Sequence, residues 1–409
     1  MISVIIPHRG RDSLLLETLR SLERQSFESF DVVIVVDLPE GDNFDNVVRK
    51  IPTSFNIPIE IISGGGKGPA TARNLGAEYA RSDILLFIGS DCIAHKDLVG
   101  THYMHHVYGA DVIQGYTGWH PDVVSPVTDF IDNTGLQAAW ANLKHGNGKW
   151  KREISPAFCM TTNYSIDKRI FLNEKFDESF SGAAWEDVEF GYRLEKYANA
   201  MHVLFVPEAF NLHYHRYTLN SFLERCRMEG YHRLTICKLH AEMSWDMCNP
   251  YTLRTAKDLN KAEVIKWAHE LDSVDFRNME DESVRNLRGI KYQRYYDACK
   301  LFSMKGVLQR IPDELPAMQA LLHVHKAESV IQIVSGVAAL EKGFLGYAAH
   351  TAQWLVAERP DDWSAYSYLG EVELGCKNKE EALMAFRKSL EINPTATWPK
   401  KRLEEMRSW

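Results

Sequence analysis

The chain has 409 residues, of which 45% are hydrophobic and 25% charged, and a net charge of −8. The length suffices for two or three domains with a large core, and the acidic balance argues against a nucleic-acid surface, which needs a basic patch. Seven cysteines without a CxxC pair read as reduced thiols of a cytoplasmic protein. The opening MISVIIPHRG lacks the basic and long apolar segments of a signal peptide, and no apolar run approaches the ~20 residues of a membrane span. The expectation is a cytoplasmic chain with no integral membrane segment, so that any membrane attachment is peripheral.

The first 90 residues alternate between two patterns. Ile2 to Ile6 is a β-branched run ending at Pro7, as in a buried strand. DSLLLETLRSLERQ places Leu15, Leu19 and Leu22 on one helical face, with Asp12 or Ser13 as N-cap. DVVIVVD (31–37) is a second buried strand, DNFDNVVRKI a short helix and IPIEII (57–62) a third strand. GPATARNLGAEYARS is a helix with Pro69 in its first turn, where a missing N–H costs nothing. DILLFIG is the fourth strand. Strands alternating with helices imply parallel β-α-β units. Asp37 and Asp91 then sit at strand C-termini on one edge of the sheet, where such folds bind ligands.

Residues 95–215 are less regular. GADVIQGYTGWHPD and AFCMTTNYSI read as strands and WEDVEFGYRLEKYA as a helix buried on more than one side. Residues 218–335 are mostly helical. The last 75 residues contain a repeat: Pro360 and Pro394, like Ala348 and Ala382, are 34 apart. Leu369-Gly370, Ala382, Phe386 and Pro394 fall at the offsets of the tetratricopeptide pattern. Two units are fewer than such arrays need, so the preceding helices are expected to supply the other stacking surface.

Three segments together resemble family-2 glycosyltransferases with the A-type nucleotide-sugar fold. They are SVIIPHRGRDSLLLETLRSLERQSFESFDVVIVVD, GKGPATARNLGAEYARSDILLFIGSDC and FDESFSGAAWEDVEFGYRL, the last similar to the acidic motif of chondroitin-polymerase-like and galactosyltransferase-like members. The resemblance implies an α/β fold: a Rossmann-like catalytic domain over 1–220, a helical extension over 221–335 and tetratricopeptide-like repeats over 336–409. It also implies Mn²⁺ or Mg²⁺, because hard cations that neutralise a diphosphate leaving group take carboxylate oxygens. The family's Asp-x-Asp motif here reads Gly89-Ser90-Asp91, so the first acid is missing while Asp91 remains the metal candidate. His213 is the expected second ligand and His215 the second choice; alternation puts both on one face.

The resemblance further implies donor contacts from Pro7, Arg9, Asp37, Lys67, Arg73, Asn74, Ser90 and Asp91, with Asp37 at the base edge. Lys67 belongs to the basic, glycine-rich SGGGKGPATARN, which lacks the P-loop pattern. Asp187 is the implied catalytic base, with Glu186 contacting the acceptor or orienting the loop. Trp185 is the expected sugar platform, and Asn163, in a strand over 161–165, a sugar contact. Without the motifs, Glu186-Asp187 reads as ordinary acids at a helix N-terminus and Asp91 as a helix cap. The implied function is transfer of a hexose or N-acetylhexosamine from a UDP-sugar to a saccharide or protein acceptor, with a protein partner on the repeats also open. The alternatives are a nucleotidyltransferase, whose glycine-rich basic signature is absent, and a degenerate scaffold acting through its repeats.

Overall fold

A computed structural model describes residues 1–39, 44–52, 54–134, 140–143, 149–197, 201–240 and 345–406, with a few helical positions between 295 and 306. Among them two compact units are distinguished, Met1–Ser221 and the described residues from Phe222 onward.

The first unit is built on one sheet. Strands β1 (Ile2–His8), β2 (Phe30–Val36), β3 (Ile59–Ser63) and β4 (Ile84–Ile88) alternate with helices α1 (Asp12–Glu23), α2 (Phe44–Lys50) and α3 (Pro69–Tyr79). β5 (Cys92–Ala94), α4 (Leu98–Val107), β6 (Val112–Trp119), α5 (Pro126–Thr134), β7 (Asn163–Asp167), α6 (Lys168–Glu174), α7 (Glu186–Tyr197) and β8 (Val203–His213) follow. The strand order is β3-β2-β1-β4-β7-β6-β8-β5. The first four strands are mutually parallel, whereas β7 runs antiparallel to both β4 and β6. This is the Rossmann-like A-type architecture expected.

Apolar runs become central strands because both faces are covered. Val4, Ile6, Val32, Ile34, Leu86 and Ile88 pack with Leu15, Leu19 and Leu22 of α1. The alternate residues Ile5, Leu85 and Phe87 pack on the other side with Ala70 and Ala77 of α3 and Phe190 and Leu194 of α7.

Several local expectations need correction. Neither Asp12 nor Ser13 is the N-cap of α1; Arg11 is, in the left-handed region at φ 58° and without a side-chain cap bond. Asp12 instead accepts from Lys50 Nζ at 2.6 Å and contacts His8 Nε2 at 2.9 Å. The strand expected within 157–166 begins only at Asn163, where pairing with Ile88 starts. β8 was not expected: Pro207 lies inside it, and proline demotes a strand. The sheet accommodates Pro207 in a bulge, since pairing with β6 jumps from Gly115↔Val206 to Tyr116↔Phe210.

α8 (Leu219–Leu239) leads into the second unit. The rest of the helical extension lies almost wholly outside the described residues. Four helices close the chain: α9 (Leu345–Glu358), α10 (Trp363–Gly375), α11 (Lys379–Ile392) and α12 (Thr397–Met406). α9 and α11 start 34 residues apart (379 − 345), as do α10 and α12 (397 − 363), so the sequence period is also the helix period. A Cβ on Gly370 would sit 2.6 Å from the buried Phe386 ring, so the small residue admits the aromatic between helices. No helix among the described residues is long and apolar enough to cross a membrane.

Candidate active site

β2 and β4 flank β1 in parallel, so Asp37 and Asp91 do share the C-terminal edge. Immediately after Asp91 the chain enters β5, which pairs with β8 and sets Cys92 opposite His213. That pairing decides the surroundings of Asp91. His213 Nε2 lies 3.3 Å from Oδ1, and His215 Nδ1 lies 3.4 Å from Oδ2. Arg11 Nη1 donates to the same Oδ2 at 2.9 Å and also meets His215. Burial alone would raise the Asp91 pKa, but hydrogen bonds from His213 and His215, with the charges of His213 and Arg11, hold it well below the usual carboxylate range. Asp91 is therefore not a helix cap: α4 starts at Leu98, after Asp97.

These groups fit a divalent cation. Ligand atoms of Asp91, Cys92 and His213 lie within 4.8 Å of one another. The Cys92 thiol is pushed well up, first by burial and then by the Asp91 charge; a hard ion prefers the Asp91 oxygen and the His213 nitrogen to sulfur. The missing first acid has a steric counterpart. A Cβ at Gly89 would stand 2.9 Å from Asp91 Oδ1 and 3.0 Å from Cys92 Sγ.

The other donor candidates divide into two groups. Pro7 and Ser90 are half-buried at the edge, while Arg9 and Lys67 are exposed. Asp37 is buried and accepts the Gly68 N–H at 3.1 and 3.3 Å. Gly68 has φ +105°, and a Cβ there would lie 2.8 Å from Ser181 O, a fit that only glycine allows. The glycine-rich loop is thus wedged between the end of β2 and the chain leading to the acidic motif.

Arg73 and Asn74 depart from expectation. Arg73 Nη1 donates to Glu186 Oε1 at 2.9 Å, with both side chains nearly buried. Asn74 donates to Phe176 O and Glu178 Oε1 and accepts from Phe176 N, each at 2.9 Å. Both side chains face protein and hold the acidic segment against α3. Glu186 is likewise turned inward. Its neighbour Asp187 is half-buried, and Oδ1 accepts the Val188 N–H at 2.9 Å. Asp187 is also the first charge acting on the buried Cys159 thiol, four residues before the start of β7, which places it near the same sheet edge. Trp185 precedes α7 with φ +72°, a strained position for a bulky residue.

Breaking a buried pair is costly because the survivor keeps its charge without a partner. Arg73→Met is therefore expected to destabilise the first unit by about 3–5 kcal/mol, read from urea unfolding. Adding Glu186→Leu should recover most of that loss. A double variant no more stable than the single one would refute this role.

Asn163 is corrected outright. It is fully buried, its amide donates to Tyr116 O at 3.0 Å and Ala209 O at 2.9 Å, and its Oδ1 lies 2.8 Å from His102 Nε2. It ties β7 to its neighbours and has no atom to offer a sugar. Two residues of the site were not anticipated. Arg11 could be read only as a basic residue in the first strand-to-helix turn. Trp119 ends β6 opposite His213 and stacks on its imidazole, with centroids 5.3 Å apart.

Residues 3–183 match the model of glycosyl transferase family 2. The match covers less than half of the chain. Validoxylamine A glucosyltransferase of Streptomyces hygroscopicus subsp. limoneus is 29% identical over 231 residues, covering 50% of this chain and 49% of its own. Hyaluronan synthase of Pasteurella multocida is 26% identical over 231 residues, covering 48% of this chain and 23% of its own. The chain spans about half the length of the first of these relatives. Among solved structures, a mannosyltransferase from Pyrobaculum calidifontis in complex with GDP-Man and Mn²⁺ aligns over 76% of this chain and 87% of its own, with a TM-score of 0.48 and 13% identity.

Proposed function

We propose that the first unit is a metal-dependent, inverting glycosyltransferase of family 2 that moves a hexose or N-acetylhexosamine from a UDP-sugar to a hydroxyl acceptor. The observation that carries the reading is the buried, ionised Asp91, faced by His213, His215 and Arg11 at the sheet edge that also holds Asp37. The glucosyltransferase named among the relatives supports a hexose.

Asp91 and His213 would hold Mn²⁺ or Mg²⁺, which when bound supplies positive charge against the diphosphate leaving group. Arg11 is placed to take up phosphate charge, and Pro7, Arg9, Lys67 and Ser90 border the same edge. Asp37 is read at the base end, Trp185 as a platform for the sugar and Glu186 as support of the motif. Asp187 takes the proton of the acceptor hydroxyl as its oxygen bonds to the anomeric carbon. The bond from that carbon to the diphosphate oxygen breaks on the opposite face, and UDP departs with the electron pair.

The test is calorimetry with UDP, with and without Mn²⁺, followed by UDP release from UDP-glucose and UDP-N-acetylglucosamine. Binding strengthened by Mn²⁺ and slow release of UDP are expected. A folded chain that binds no nucleoside diphosphate would overturn the reading in favour of a scaffold.

A further inference from the structure

The end of β6 carries a constellation that the donor site does not use. Besides stacking on His213 at an interplanar angle of 23°, Trp119 meets the edge of the Tyr217 ring at 5.8 Å. Its indole Nε1 donates to Asp132 Oδ1 on α5 at 2.7 Å. The ring is therefore held in one orientation between a histidine of the candidate metal site and a carboxylate. Asp132 Oδ2 has no protein partner among the described residues, and the residue is open to solvent. Nevertheless its pKa is raised, first by burial and then by Asp129, against the opposing bond from Trp119. The indole and this accessible carboxylate together form a wall at the end of β6.

Strand order says which side of the reaction this wall faces. Along the edge, β2 with Asp37 lies on one side of β4, whereas β6 with Trp119 lies on the other. A nucleotide reaching from Asp91 toward Asp37 leaves its sugar end facing Trp119. Resting on the donor reading given above, we propose that Trp119 and Asp132 form the acceptor subsite and take a neutral polyhydroxylated ring, a pyranoside. Indole offers an apolar surface to the C–H face of such a ring. Oδ2 accepts a ring hydroxyl, a charge-assisted bond. With Asp129 on the same helix, the wall disfavours a phosphate-bearing acceptor.

The experiment uses the full chain saturated with UDP and Mn²⁺. Methyl pyranosides of glucose, galactose, mannose and N-acetylglucosamine are the probes, with binding read by saturation-transfer NMR. At least one should bind. Asp132→Asn keeps an acceptor for the Trp119 N–H, so it should fold normally, bind UDP and hydrolyse UDP-glucose within about twofold of wild type. It should bind the pyranoside about tenfold or more weakly. Unchanged pyranoside binding in Asp132→Asn overturns the proposal. So does a wild-type chain that binds UDP but no methyl pyranoside, or one that prefers glucose 6-phosphate. Failure to bind UDP, with pyranoside binding still lost in Asp132→Asn, would remove the donor reading and leave this carbohydrate site standing.

Discussion

Asp91→Ala is expected to abolish the Mn²⁺-stimulated release of UDP from a UDP-sugar, a loss on the order of a thousandfold, since charge stabilisation of this kind amounts to several kcal/mol. The substitution removes the buried carboxylate on which His213, His215 and Arg11 converge. Those cationic and polar groups would then face one another without an anion between them. Wild-type protein treated with EDTA should fall to the level of the variant, and added Mn²⁺ should restore only the wild type. Asp91→Asn keeps the shape of the side chain but not the charge, so it separates electrostatics from packing and should be nearly as inactive. Full turnover after EDTA treatment would sink the metal role, as would a variant still stimulated by Mn²⁺.

Asp187→Asn should leave UDP affinity unchanged and lower transfer by about a hundredfold or more, the lower end for loss of a general base. The amide oxygen of asparagine can still accept the Val188 N–H that Asp187 Oδ1 now holds at 2.9 Å, so the start of α7 is preserved. Glu186 stays paired with Arg73. The comparison therefore isolates proton acceptance from folding. The measurement is initial transfer rate against UDP affinity by calorimetry, with the thermal midpoint as a control. A parallel fall in midpoint, UDP affinity and rate would mark Asp187 as a structural residue of the helix terminus.

Much of this site was legible in residue order alone. The runs at Ile2–Ile6, Asp31–Asp37 and Ile84–Ile88 could only be buried strands, because a continuous apolar stretch of that length needs cover on both faces. Their alternation with helices put Asp37 and Asp91 on one edge, and the alternation of His213 and His215 put both rings on the side where they meet Asp91. The glycine at position 89 announced a departure from the family's acidic pair. The 34-residue period of the last helices was likewise readable, since it is a property of local spacing.

Other features depended on contacts between residues far apart in the chain. Asn163 read as a sugar contact because its strand lies beside the site; its amide is instead consumed by Tyr116 and Ala209. Arg73 and Glu186, 113 residues apart, read as two separate ligand groups until the fold placed one against the other. β8 was hidden by Pro207, and only a bulge against β6 makes a strand of it. Trp119 meets His213 through that same pairing, and Asp132 through the helix that follows its strand. Sequence by itself determined which segments are buried and which edge carries the acids, because periodicity and apolar length are local. Only the tertiary structure decided which polar groups face a ligand and which face each other, because a side chain's hydrogen-bond partner is set by whatever strand or helix lands beside it.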